Sequence, residues 1–221
     1  MKLASPYFNT LIEINDGEIF QLVIENQKLF RTFAEDIHRQ ICGDDGNTVL
    51  SVNNVPVSMS KFSDLIENFA PFDINTKTVL SRITSAMEKT AVDENHFLQT
   101  SGLLADIENY MTELCFDFPF GVECRKLNIS SLIKSASVCV IDDNTDALET
   151  ILDYMSLVLD FDKKKLFITV NMRSYFDDDG ITSFVNAVRC KQMQVLMLES
   201  TSRSTVEGMK QLIIDRDLCE F

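Results

Sequence analysis

Residues 165–200 read KLFITVNMRSYFDDDGITSFVNAVRCKQMQVLMLES, and this stretch decides the fold class. Two short apolar runs, 166–170 and 195–198, flank a segment in which apolar residues recur at helical spacing from Ile181 to Val188. Strands that are apolar throughout are typical of a parallel sheet covered on both faces. A strand–helix–strand unit joins parallel neighbours, so the stretch predicts an α/β sheet.

The segments before this stretch extend the α/β pattern. Apolar periodicity predicts a helix over 148–159, and an apolar run predicts a strand over 138–141. Near the start of the chain, the β-prone runs 10–14 and 18–25 surround Asp16-Gly17. A two-residue Asp-Gly turn between such runs is typical of a β-hairpin, so we expect one here.

A strongly amphipathic helix is predicted after Asn26. Its apolar residues recur at helical spacing until Gly43, and Asn26 is a residue type that caps helix starts. Glycine commonly ends a helix, so Gly43 predicts its end. A further strand is expected over residues 48–52.

The middle of the chain is predicted to be helical. Asn75 is expected to cap one helix, and a second helix follows over 103–114, without a comparable strand signal between them. The prediction is therefore an α/β head, residues 1–60 and 137–221, interrupted by an all-helical leg, residues 61–136.

Composition excludes several classes of protein. The chain has 221 residues, a formal net charge of -14, six cysteines without a C-x-x-C pair and two histidines. These cysteines favour reduced thiols in a cytoplasmic protein over a zinc site. Apolar runs are shorter than the roughly 18 residues of a membrane span, and Pro6 and Asn9 interrupt the start, so neither a membrane span nor a secretory leader is expected.

The sequence lacks the motifs of nucleotide hydrolysis. Glycine-rich phosphate loops place a lysine after their glycines, whereas residues 43–46 read GDDG, whose carboxylates would repel a phosphate. Asn171 follows a buried strand where a hydrolase would place its magnesium-binding aspartate, and an amide lacks that charge. These features predict a scaffold without catalysis.

The acidic clusters leave an enzyme as the alternative. Asp177, Asp178 and Asp179 precede a predicted helix, where acids complement the positive end of the helix dipole. Asp162 with Lys163 and Lys164 resembles an acid-x-lysine fragment of metal-dependent nucleases. We interpret residues 177–179 as a helix cap, and Asp162 with its lysines as a solvated segment that leads into a strand. A divergent metal-dependent nuclease or nucleotide hydrolase on the same head is the alternative.

The helix after Asn26 predicts a phosphate-binding surface. At about 100° per residue, Lys28, Arg31 and Arg39 fall on the side opposite its apolar residues. In a protein this acidic, a cationic helix face is a candidate track for backbone phosphates, although a solvated face would show the same pattern. Further candidates for DNA binding are Arg82 and Lys89 on a leg helix, and Lys163 and Lys164 before a core strand.

Four segments together resemble a known family. They are residues 72–80, FDINTKTVL; 163–171, KKKLFITVN; 195–199, VLMLE; and 213–217, IIDRD. Their order and spacing are similar to those of the csn-two family of type II-A CRISPR spacer-acquisition proteins, which are ring-forming binders of double-stranded DNA ends.

The resemblance implies both a fold and a function. The expected fold is a degenerate P-loop-like (RecA-like) α/β head with a helical leg and no enzymatic activity. The expected assembly is a homotetrameric ring whose basic inner surface encircles double-stranded DNA without reading its sequence. Such a protein works beside the CRISPR integrase complex and the RNA-guided effector nuclease when new spacers are acquired for antiviral defence.

The resemblance also implies calcium at the junction of head and leg. Family members supply several carboxylates there, whereas this chain has Arg125 and Lys126 in that stretch, with Asp117 and Glu123 as the candidate ligands. Calcium takes about six to eight oxygen ligands, most of them anionic, so these two cations weaken the implied site.

Overall fold

The computed structural model describes residues 1–144, 146–162 and 165–221. It is a mixed α/β structure with one parallel and one antiparallel sheet, and seven α-helices lie within those residues. The chain divides into two compact units. We call residues 1–72 with 144–221 the α/β unit, and residues 73–143 the helical unit.

These divisions fall after residues 72 and 143, whereas the sequence placed them after 60 and 136. The first difference has a physical reason. Residues 63–66 form a short strand that pairs with a strand from the second half of the chain, so they belong to the α/β unit. Four residues with two buried positions are too short for a clear periodic signal.

The α/β unit is built on a five-stranded parallel sheet. Its strands at 166–170 and 194–199 are the two predicted from the opening stretch of the sequence, and this prediction is confirmed. The strand order is β6-β7-β8-β3-β9. The strands are β3 (Ile19–Ile24), β6 (Ser63–Ile66), β7 (Leu166–Val170), β8 (Gln194–Glu199) and β9 (Met209–Ile214).

The predicted N-terminal hairpin is wrong. Strand β3 pairs in parallel with β8 on one edge and β9 on the other, and all six of its residues are buried. Gly17, at φ 75°, donates its backbone N–H to Met193 O at 2.9 Å, which leads the chain into this sheet. A strand that is buried on both faces belongs inside a covered sheet, and burial outweighed the local turn signal.

A smaller antiparallel sheet shares one hydrophobic core with the parallel sheet. The predicted strand at 48–52 is confirmed over 49–52, and it pairs with a strand on either side. The order is β2-β1-β4-β5, with β1 (Lys2–Ala4), β2 (Ile12–Glu13), β4 (Val49–Val52) and β5 (Val55–Val57).

Helix α1 (Gln27–Cys42) forms as predicted. The Asn26 side chain accepts a hydrogen bond from Leu29 N at 3.0 Å, and Gly43 ends the helix at φ 101°. Such a left-handed conformation suits glycine, which has no Cβ to clash. Phe33 and Ile37 are fully buried, so one face of α1 is fixed on the core.

The helices predicted at 148–159 and 181–188 are confirmed, over 147–161 and 178–190. Asp177 caps the helix after β7 by accepting from Gly180 N at 2.8 Å, which confirms the capping interpretation of this residue. Asp178 has a different role, because it pairs with the buried guanidinium of Arg173. The helices are α2 (Met59–Phe62), α6 (Ala147–Phe161) and α7 (Asp178–Cys190), with a 3-10 turn at Met172–Ser174.

The helical unit contains α3 (Lys77–Ala91), α4 (Phe97–Phe116) and α5 (Ile129–Ser135). Thr76, rather than the predicted Asn75, caps α3. The Asn75 side chain instead forms two hydrogen bonds with the backbone of Val140. Its Oδ1 accepts from Val140 N at 2.7 Å, and its Nδ2 donates to Val140 O at 3.1 Å. The strand predicted over 138–141 is therefore wrong, because this side chain takes the hydrogen bonds a strand would need, and Ile141 is 81% exposed.

In the part of the chain that the structure describes, no helix combines the length and the apolar character needed to cross a membrane.

Candidate nucleic-acid interface

The outward side of α1 presents the predicted cations. Lys28, Arg31 and Arg39 are exposed, and the two arginine side chains are 78% and 56% accessible. We call these three residues the basic face. Phe33 and Ile37 anchor the opposite side of α1 in the core, so the orientation of the basic face is set by burial of the apolar side.

Acidic neighbours partly balance the basic face. Arg31 Nε lies 2.8 Å from Glu35 Oε1, one helical turn away on the surface. Arg39 Nη2 lies 3.5 Å from Asp36 Oδ1. An exposed ion pair contributes little because water screens it, so a DNA phosphate can compete with Glu35 for Arg31.

Asp36 differs from Glu35 because its side chain is completely buried. Burial raises the pKa of this carboxyl, but hydrogen bonds from Asn47 N, Thr48 N and the Thr48 hydroxyl outweigh it and hold the pKa below its usual value. Asp36 is therefore a fixed negative charge with its own donors. It orients Arg39 on the surface without needing Arg39 to satisfy it.

A cleft of about 720 Å³ lies at the N-terminal end of α1 and adds a cation that the sequence analysis missed. Lys28 and Arg216 line it together with the hydroxyl-bearing residues Ser200 and Thr201. Glu25, Asn26 and Gln27 complete the lining. We call this opening the strand-end cleft.

Sheet topology creates the strand-end cleft. Lys28, Ser200 and Arg216 each come shortly after a parallel strand, β3, β8 and β9 respectively, and those strands are neighbours in the sheet. The carboxyl ends of parallel strands share one edge, where α/β proteins commonly bind ligands. Arg216 lies in one of the segments that resemble the known family, but its position could be assigned only by pairing β3 with β9.

Asn171 borders this edge after β7. It adopts a left-handed conformation at φ 54°, and its side-chain oxygen accepts from both the N–H and the hydroxyl of Ser200 at 2.8 Å. The amide thus ties two neighbouring strand ends together. Its oxygen is already engaged at the position where a hydrolase would hold a metal.

Two of the remaining DNA-binding candidates lie in the helical unit. Arg82 and Lys89 are on α3 of the helical unit; Arg82 is half-buried and Lys89 is exposed. Lys163 and Lys164 fall outside the described residues. Lys165, from the same lysine run, is buried instead of solvated, because its Nζ donates to Lys61 O at 3.0 Å and lies 3.4 Å from Asp162 Oδ2.

The described residues bring too few ligands together to define a calcium site. Asp117 ends α4 and Glu123 lies in the connection between α4 and α5, and both are exposed. Among residues 1–144, 146–162 and 165–221, no group of three or more acidic, histidine or cysteine side chains is placed to hold a metal. Two carboxylates fall short of the roughly six to eight oxygens that calcium takes, so these residues alone do not fit the ion.

Comparison with known proteins assigns the family. A family model described as "CRISPR-associated protein (Cas_Csn2)" matches residues 40–218, most of the chain. This chain belongs to the Csn2 family of CRISPR-associated proteins. The family predicted from the four segments is therefore confirmed, and its setting is adaptation in type II-A CRISPR systems.

One solved structure has a similar fold. The Csn2-family chain resembles the crystal structure of Stu0660 of Streptococcus thermophilus with a TM-score of 0.56 and 15% sequence identity. The match covers 90% of this chain and 68% of that one. At this identity the likeness concerns the fold.

One buried acid of this Csn2-family chain, Glu199, directly precedes Ser200 of the strand-end cleft. Glu199 ends β8 and is only 2% exposed. Its carboxylate accepts from Arg173 N at 3.1 Å, while the guanidinium of Arg173 bonds Ser204 and Asp178. Burial raises the pKa of Glu199 to about 7, and the nearby positive charges of Arg173 and Arg203 only partly oppose this.

We expect Glu199→Gln to flatten the pH dependence of unfolding. A carboxyl whose folded pKa is raised stabilises the fold at low pH, and that contribution is lost as pH rises toward 7. Between the usual pKa of 4.5 and about 7, the loss approaches about 1.4 kcal/mol per pH unit. Urea unfolding of wild type at pH 5, 6, 7 and 8 should show this decline, and Glu199→Gln, which mimics the protonated form, should lack it. The exposed Glu207→Gln is the control, and an equal decline in both variants would contradict the assignment.

Proposed function

We propose that this chain is a non-catalytic, sequence-independent binder of double-stranded DNA ends that acts as a homotetrameric ring in type II-A spacer acquisition. The observation that carries the proposal is the basic face of α1, exposed on a chain whose formal net charge is -14. The proposed partners, the CRISPR integrase complex and the RNA-guided effector nuclease, follow from the family resemblance. Calcium held with the help of Asp117 and Glu123 stays a prediction.

Charge distribution supports phosphate binding by a small part of the surface. Arg31 and Arg39 lie two turns apart on one side of α1, and Lys28 extends the row to the strand-end cleft with Arg216. The remaining surface is acidic overall and repels a polyanion, which favours a duplex that lies along this row. Contacts of this kind go to backbone phosphates, which carry no sequence information directly.

The sheet supports a P-loop-like scaffold that has lost nucleotide chemistry. In chain order, the first parallel strand, β3, lies between the fourth and the fifth, as in RecA-like folds. A P-loop would follow this strand, where its glycines and lysine would hold phosphates. Here only Glu25 and Asn26 separate β3 from α1, and Glu25 would repel a phosphate. Together with the engaged amide of Asn171, this favours a non-catalytic unit.

Helix α4 supports association between copies of the chain. None of its 20 residues is buried, although many are apolar. Leu103, Tyr110, Met111 and Leu114 are 40–59% exposed. At about 100° per residue they share one side of the helix, so they form an apolar stripe in water. Exposed stripes of this kind mark interaction surfaces, and a second copy of the chain is the occupant that the proposed ring requires.

Neutralising the basic face should weaken DNA binding without unfolding the protein. We expect Arg31→Gln with Arg39→Gln to lower the slope of log affinity against log salt by roughly 0.9 for each phosphate that the variant no longer neutralises. Glutamine is chosen because glutamate at 39 would face the buried charge of Asp36. Fluorescence anisotropy with a linear duplex, over a series of salt concentrations, measures the slope.

The matched control neutralises two exposed cations at the end of α7, Arg189→Gln with Lys191→Gln. It makes the same change in net charge away from the basic face and should leave the slope at the wild-type value. Equal slopes for wild type and the α1 variant, with folding unchanged by circular dichroism, would show that the basic face is only a solvated surface.

Charges placed in the α4 stripe should dissociate the assembly. We expect wild type to have a mass of about 100 kDa by light scattering, four times the 25.1 kDa of one chain. Leu103→Glu with Leu114→Glu should lower this mass, because burying two carboxylates at an apolar interface is unfavourable. The control is Leu98→Glu with Phe116→Glu, which are 82% and 81% exposed on another side of the same helix. A wild-type mass of 25 kDa, or no difference between the two variants, would contradict the proposed interface.

A further inference from the structure

One pair of cysteines in the helical unit is close enough to react. The Sγ atoms of Cys115 and Cys124 lie 3.3 Å apart, and both side chains are free thiols. The other four cysteines, all described, are exposed: Cys42, Cys139, Cys190 and Cys219. Proximity therefore singles out one pair.

The backbone holds the two thiols together from both sides. Cys115 is the next-to-last residue of α4, and Cys124 lies in the connection that folds back along the same helix. Two contacts fix this connection: Leu127 N donates to Glu108 Oε1 at 2.8 Å, and the Cys124 thiol donates to Met111 O at 3.8 Å. These contacts to α4 hold the two sulfur atoms close together without any covalent bond between the sulfurs.

We propose that Cys115 and Cys124 form a reversible intramolecular disulfide and are a redox-sensitive modification site of the helical unit. A bond of normal length, about 2.05 Å, needs only a small approach of sulfurs that are already in contact. In a reducing compartment, a disulfide near the surface is typically transient or regulatory, and such exposed disulfides are the labile ones.

A small-molecule disulfide, such as oxidised glutathione, supplies the oxidant. The more exposed Cys124, as its thiolate, attacks one glutathione sulfur and displaces the first glutathione thiolate. The Cys115 thiolate then attacks Cys124 Sγ in the mixed disulfide and displaces the second. Two electrons pass from the protein to glutathione, and the two protons leave with the two glutathione thiols.

Closing this bond changes an exposed apolar segment. Residues 116–123 lie between the cysteines, and they include Phe116, Phe118 and Phe120, which are 52–81% exposed. The disulfide ties both ends of this segment to one point on α4. It therefore restricts the positions of three exposed aromatic rings while leaving the core of the α/β unit untouched.

The test uses the full chain, reduced and then equilibrated with glutathione buffers of increasing oxidised fraction. Free thiols are alkylated, and peptides are analysed by mass spectrometry. Trypsin leaves both cysteines on one peptide, because no lysine or arginine lies between them. We expect this peptide to escape alkylation at both cysteines with a mass about 2 Da lower, the loss of two hydrogens, and dithiothreitol to restore the thiols.

Matched variants separate this site from general oxidation. Cys115→Ser should prevent the disulfide on this peptide and leave Cys124 alkylated or as its glutathione mixed disulfide. Cys190→Ser, at an exposed thiol of the α/β unit, should leave the pairing unchanged. Melting temperatures of the reduced variants check that they fold. Full alkylation of Cys115 and Cys124 in the most oxidising buffer, pairing of either with another cysteine, or stable glutathione adducts in place of the disulfide would each overturn the proposal.

Discussion

Burial of strand β3 on both faces is the constraint on which the rest of the α/β unit depends. Its six residues are buried, and β8 and β9 occupy its two edges. Helix α1 begins three residues after the strand ends, so the sheet fixes where the basic face starts. The same pairing brings Lys28 and Arg216 to one cleft although 188 positions separate them in sequence. A function based on these cations thus depends on a buried strand that carries no charged residue itself.

The sequence predicted the elements whose signals are local. Helix α1 has both of its end signals, Asn26 and Gly43, and a continuous apolar side, and it formed as expected. Strands β7 and β8 are mostly apolar and were also predicted. By contrast, Asp16-Gly17 has the sequence of a hairpin turn, yet the partners of β3 lie near the other end of the chain. Residues 138–141 look like a strand, but Asn75 takes the hydrogen bonds of Val140.

In the candidate site, too, the features set by local sequence were predictable and those set by distant contacts were not. Helical periodicity placed Lys28, Arg31 and Arg39 on one side of α1, since their spacing and the apolar residues between them are visible in the sequence. The charge beside Arg39 was not predictable, because Asp36 is buried by contacts with residues 47 and 48. Arg216 and the proximity of Cys115 to Cys124 likewise depend on how the chain folds back. Distant contacts of this kind need the structure.

The central claim is that the assembled protein encircles DNA and loads at free ends. Binding to a linear duplex and to the same sequence as a covalently closed circle, measured side by side at one moderate salt concentration, tests it most directly. The account predicts clear binding to the linear DNA, poor binding to the circle, and recovery when the circle is cut once. Equal affinity for the two forms would contradict encirclement, and no affinity for either would contradict DNA binding itself.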